Sequence, residues 1–122
     1  MIVAGLGFAT NCPAGDILAA IRLAEEAGDK ARIIAVADFK ANEPGLTEAV
    51  KILILPVMLM TRTALEQAQP RCASHSEHAL AAVGLGSVAE ACALAAAGPA
   101  SVLLVPRVSF GKATCAIAGA KP

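Results

Sequence analysis

The stretch "RIIAVADFKANEPGLTEAVKILILPVMLM", residues 32–60, decides the fold class. It begins with a strand over 32–37, whose apolar run is Ile33 to Ala37. The charged turn Asp38, Lys40, Glu43 follows, and then a short helix with Pro44 in its first turn, where a missing N–H costs nothing. "ILILPVMLM", residues 52–60, is predicted as the next strand. Its apolar run is continuous rather than alternating, which suits a strand covered on both faces. Pro56 inside it cannot donate to a ladder and demands an edge position or a bulge.

The same alternation extends in both directions. Toward the N-terminus, Ile2-Val3-Ala4 is a short strand ending in the turn Gly5-Leu6-Gly7. Pro13 then opens a helix whose Ile17, Leu18, Ile21 and Ala24 recur at helical spacing up to the stop at Gly28. Toward the C-terminus, Thr63/Glu66, Ser74/Glu77 and Ser87/Glu90 each have capping-box spacing at a helix start. A helix over 88–97 stops at Gly98-Pro99. "SVLLVP" and "ATCAIA" are two further strands, joined through "RVSFGK" closely enough for an antiparallel hairpin. The expected architecture is a three-layer α/β/α domain over 1–122, with a mixed, mostly parallel sheet of about five strands.

Composition excludes several function classes. The length, 122 residues, suits one domain. Ten basic and ten acidic residues give zero net charge, and there is no Trp or Tyr and only three Phe. A nucleic-acid surface needs a basic face and stacking aromatics, so no nucleic-acid partner is expected. The longest uncharged stretch, Ala91 to Pro106, is broken by Gly98-Pro99 and falls short of the ~20 residues a membrane span needs. The N-terminus lacks a basic n-region, so no secretory signal or membrane partner is expected and the location is cytoplasmic. Cysteines at 12, 72, 92 and 115 form no CxxC pair, and behave as small buried hydrophobes in a reducing compartment.

Candidate sites are few. Gly5-Leu6-Gly7 lacks the third glycine of a dinucleotide fingerprint, because position 10 is Thr10. Its amides could instead hold a ligand carboxylate. Cys72, His75 and His78 stand three apart, which on a helix shares one face, but a fourth metal ligand is missing and no metal is expected. No nucleophile elbow occurs. Lys40 either pairs with Asp38 or Glu43 or offers its charge to a ligand at the strand end, where open α/β sheets bind. Glu90, as the acid of a capping box, is expected to stay ionised in the field of a helix N-terminus and not to serve as a general acid.

Four segments together carry a family resemblance. They are "GLG" after the first strand, Asp38-x-Lys40-x-x-Glu43-x-Gly45-Leu46 after the second, Gly84 to Ala96 with the preceding Ser76-Glu77, and the final "TCAIA". The pattern resembles the CobE/CbiG C-terminal domain family of cobalamin (vitamin B12) biosynthesis, in its standalone, CobE-like form. The resemblance implies a small α/β protein that holds or acts on a corrin or precorrin intermediate. It sets two alternatives beside that: hydrolysis of a precorrin lactone, as in the longer relatives that open cobalt-precorrin-5A, and a non-catalytic partnership with a pathway enzyme.

The family's first loop often carries basic residues, whereas this chain has Phe8-Ala9-Thr10-Asn11. The ligand-binding set expected here is therefore Gly5, Gly7, Thr10, Lys40, Glu43, His75 and Ser76, with Arg107 on the same rim and Asn11 in reserve. Lys40 contacts a carboxylate, and Glu43 positions it or acts as a base. No cofactor is expected. A homodimer is the other use for the apolar surface of a chain that is 57% hydrophobic.

Overall fold

The computed structural model describes residues 1–121, apart from the side chain of His78. Five strands and five α-helices run along it: β1 (Val3–Phe8), α1 (Ala14–Glu26), β2 (Ile33–Ala37), α2 (Pro44–Leu53), β3 (Val57–Met60), α3 (Arg62–Ala68), α4 (Glu77–Val83), α5 (Ala89–Ala97), β4 (Ser101–Phe110) and β5 (Ala113–Ala120). They alternate up to β3, after which three helices and then two strands follow in succession. One sheet runs β3-β2-β1-β5-β4. The β1–β2 and β2–β3 pairs are parallel. β5 is antiparallel to both β1 and β4, so four strands share a direction and β5 alone opposes them. Mixed sheet, three layers and C-terminal hairpin all agree with the expectation from sequence.

Strand alternation sorts side chains to two faces. In β1 and β2, Ala4, Leu6, Phe8, Ile34 and Val36 point into the core under α1 and α2, which Ile17, Ile21 and Leu46 complete. Val3, Ala35 and Ala37 point into the core under α3 and α5, with Leu65, Ala91, Ala93 and Leu94.

Several boundaries differ from the sequence reading, each for a local reason. Gly5 and Gly7 are not a turn after β1 but lie within it, paired with Ala116 and Thr114 of β5. The third strand begins only at Val57: residues 51–53 finish α2, and Ile54 takes a left-handed conformation (φ 54°) that ends the helix. Pro56 precedes the strand and contributes only its carbonyl, which accepts from Ile34 N at 3.0 Å. β3 is an edge strand, although Pro56 lies before it and does not impose that position, and it is not covered on both faces, since Met58 and Leu59 are exposed. β4 and β5 extend through most of "RVSFGK", leaving Gly111 (φ 56°) and Lys112 as the turn.

The three capping boxes are corrected. Thr61, not Thr63, caps α3, its hydroxyl accepting from Ala64 N at 3.2 Å. Ser76, not Ser74, caps α4, accepting from Ala79 N at 3.2 Å. α5 has no side-chain cap, and the Ser87 hydroxyl is buried without a partner. "TRT" and "SHS" each offer two hydroxyls two residues apart, and the acid three positions on does not identify which one the helix uses.

Candidate functional site

A cleft of about 620 Å³ opens where β1 ends. Four segments surround it: the end of β1 with Ala9 and Thr10, the 3-10 turn Asp38–Lys40 after β2, one face of α4, and the β4–β5 hairpin tip. Phe8, Phe39, Val83 and Val88, with alanines of α4, make an apolar lining. Lys40, Arg107 and Lys112 bring three cations to it, and Thr10, Ser76, Ser109 and Thr114 bring hydroxyls. Among the described residues no Asp or Glu lines the cleft.

Each wall is held by identifiable bonds. The Thr114 hydroxyl donates to Gly7 O at 3.1 Å, and a Cβ at Gly7 would lie 2.7 Å from that hydroxyl oxygen, so glycine lets the two strands share this floor. The Lys40 ammonium lies 5.7 Å from the centroid of the Phe8 ring, within cation–π range. The hairpin tip is fastened at two points: Lys112 N donates to Asp16 Oδ2 at 3.0 Å, and Ala9 N donates to Lys112 O at 3.1 Å. Ser76 N donates to Gly86 O at 2.6 Å, which ties the start of α4 to the loop before α5.

Of the residues expected from sequence, Gly7, Thr10, Lys40, Ser76 and Arg107 line this one cleft. Gly5 lies beneath α5, where a Cβ would stand 2.1 Å from Ala89 O and 2.5 Å from Ala93 N. Glu43 does not pair with Lys40. Its Oε1 accepts from Asn11 N at 2.8 Å and holds that residue in a left-handed turn (φ 64°). With Gly45 packed on the Cys12 carbonyl, this fixes the β1–α1 loop against α2. His75 is exposed and 3.6 Å from Glu77, outside the lining.

Cys72 and His75 precede α4 instead of lying on it, so helical spacing does not gather them, and the His78 side chain lies outside the described residues. Among the described residues no group of three His, Cys, Asp or Glu could hold a metal. Lys112 and Ser109 were not anticipated. Their signal was the hairpin itself, whose short turn brings positions 107 to 112 onto a strand end.

The thiols are poor nucleophiles here. Burial, reinforced by the negative charge of Glu90, pushes Cys72 up to about 11, and burial pushes Cys92 and Cys115 to about 12. Burial is also the main reason the Cys12 thiol is raised. Glu90 is fully buried at 0% exposure. Burial alone would raise its carboxyl, but hydrogen bonds from Arg107 N and from Ser74 outweigh it and hold the group below its ordinary 4.5. It is ionised, as the sequence implied, although hydrogen bonding and not a helix cap is responsible.

The chain is similar to known proteins. Residues 2–118 match the family described as cobalamin synthesis G C-terminus. The chain is similar to protein CobE of a Sinorhizobium species, with 34% identity over 97% of this chain and 79% of that one. A crystal structure of CobE, described as a protein from the cobalamin (vitamin B12) biosynthetic pathway, superposes with a TM-score of 0.87, at 32% identity over 97% of this chain and 89% of that one. The cobalamin biosynthesis protein ChiG from Agrobacterium tumefaciens gives 0.78 at 37% identity, with both chains covered in full. No helix among the described residues is long and apolar enough to cross a membrane. The chain therefore belongs to the cobalamin synthesis G C-terminus family, among the CobE-like proteins of cobalamin biosynthesis.

Proposed function

We propose that the cleft binds a carboxylated corrin or precorrin intermediate and holds it without converting it. One observation carries this reading: three cations and several hydroxyls surround an apolar lining that, among the described residues, includes no carboxylate. A corrin precursor is a flat ring, apolar at its centre and rimmed by carboxylates. An apolar floor with cations at its edge complements both features, and ligand pockets are commonly apolar with a few placed polar groups. Lactone hydrolysis would need a base aimed at the ligand. The candidate, Glu43, is committed to Asn11 N and lies off the lining, and the raised thiols supply no substitute. Binding is accordingly favoured over turnover.

A visible-absorption titration of the protein with hydrogenobyrinic acid tests the proposal. A saturable spectral shift is expected, and Lys40→Ala should weaken binding about tenfold, the value of one hydrogen bond to a charged group. An absent shift across several corrin intermediates, with retained binding to a pathway enzyme, would replace this reading with a partner role. Release of a lactone-opened product that Glu43→Gln abolishes would replace it with hydrolysis.

A further inference from the structure

We infer that Glu90 is a positioning residue of the cleft, a single buried carboxylate that holds two opposite walls in register. The inference rests on the binding reading above for its purpose, but not for its geometry. Glu90 Oε1 accepts from Ser74 N at 2.7 Å, and Oε2 accepts from Ser74 Oγ at 2.9 Å and from Arg107 N at 3.1 Å. Ser74 stands two residues before Ser76, the cap of α4 and a lining residue, while Arg107 lines the facing hairpin.

The need for such a tie follows from the hairpin. Between Val105 and Val108 the β4–β5 register shifts, so Pro106 and Arg107 together oppose Ala116. A bulge of this kind removes an amide from the ladder and re-aims a side chain. Pro106 has no N–H to place. The Arg107 N–H is left over, and Glu90 on α5 accepts it. The bulge thus directs Arg107 into the cleft, and the carboxylate fixes how far.

Only a carboxylate fits. Two backbone N–H groups that can only donate approach its two different oxygens. In Glu90→Gln the amide has one acceptor oxygen, so whichever way it is turned, its NH2 group meets either the Ser74 or the Arg107 N–H. One wall must come free, in a side chain of unchanged shape.

The test needs no ligand for its first part. Amide hydrogen exchange is compared in the wild-type protein and Glu90→Gln. Either the Arg107 or the Ser74 amide should exchange at least about tenfold faster, while the β1, β2 and β5 amides keep their protection. Unchanged exchange at both amides, or a uniform rise across the sheet, overturns the inference.

The second part uses hydrogenobyrinic acid in a double-mutant cycle. Where exchange shows the Arg107 amide released, Glu90→Gln and Arg107→Ala should be non-additive; where it shows the Ser74 amide released, Glu90→Gln and Ser76→Ala should be. In either case Glu90→Gln and Lys40→Ala should add. Additivity in the cycle that pairs Glu90→Gln with the released wall overturns the positioning role. If Glu90→Gln does not fold, Ser74→Ala replaces it, removing one hydroxyl from the same carboxylate, and the same coupling to Arg107→Ala is required. A wild-type protein that binds no corrin would remove the binding reading and leave amide exchange to decide the tie.

Discussion

The two faces of the sheet are packed by different means. Under α1 and α2 the strands present Leu6, Phe8, Ile34, Val36 and Ile117, and the helices answer with Ile17, Ile21 and Leu46. That face is filled by bulk. Under α5 the central strands present Gly5, Ala35, Ala37 and Ala118, against a helix reading "AEACALAAA". There the space is closed by bringing backbones together, so close that a single added Cβ at Gly5 would strike the Ala89 carbonyl. A core of large side chains has slack in its rotamers. A core made of backbone approach has none, because nothing between the two elements can rotate away.

That contrast can be broken first at Gly5. Gly5→Val should cost more than ~5 kcal/mol and abolish the cooperative unfolding transition seen by circular dichroism, since backbone and not a flexible side chain is in the way. Gly7→Ala, whose nearest neighbour is the Thr114 hydroxyl, should cost only ~1–2 kcal/mol in the same measurement. On the bulk-filled face, Ile17→Ala should leave a folded protein destabilised by about 2–5 kcal/mol in urea, the usual cost of a partly relaxed cavity. If Gly5→Val proved milder than Ile17→Ala, the distinction between the faces would fail.

The smallest effect concerns pH. Glu90 has a folded pKa below its ordinary 4.5. Its contribution is therefore fully present above the unfolded value and is lost as pH falls through the lower folded value. Urea unfolding followed from pH 6 to pH 3 should show a shallower acid decline in Glu90→Gln than in the wild-type protein. An equal decline would move the acid sensitivity to other carboxylates.

The sequence carried more of this contrast than the turn reading of "GLG" used. From Gly5, Ile34 and Cys115 onward, "GLGF", "IAVA" and "CAIA" alternate small residues with larger ones. Read at period two, Gly5 and Gly7, Ala35 and Ala37, and Ala116 and Ala118 share one face, which is where α5 lies, while Ala4 falls on the other. In the parallel half the order of elements was legible because Pro13, Gly28 and Pro44 punctuate it, but the end of β1 and the start of β3 were not.

The site was half legible. Lys40, Thr10 and Ser76 follow strand ends or precede helices, positions that topology makes adjacent. Lys112 was signalled only by the hairpin turn it occupies, and the role of Glu90 depends on where β5 inserts, which no local pattern announces. Likewise "TRT" and "SHS" left the capping hydroxyl open, because capping is chosen by backbone geometry and not by composition. Glu43 was read from its charged neighbours, while its real partner, the Asn11 amide, is 32 residues away.

The placement of β5 also bears on how the chain is made. Val3 pairs with Ala118, and Gly5 with Ala116, so β1 meets its second neighbour only after more than a hundred residues of synthesis. At ~5–20 residues per second the first strand waits on the order of ten seconds with one edge open. Until then the parallel trio β3-β2-β1 ends in an unpaired central strand, a template for any extended segment nearby. The long-range closure also raises contact order, which slows folding. The nascent protein spends that interval with the strand that will carry its cleft still unguarded, a period in which a chaperone holding β1 would protect both fold and function.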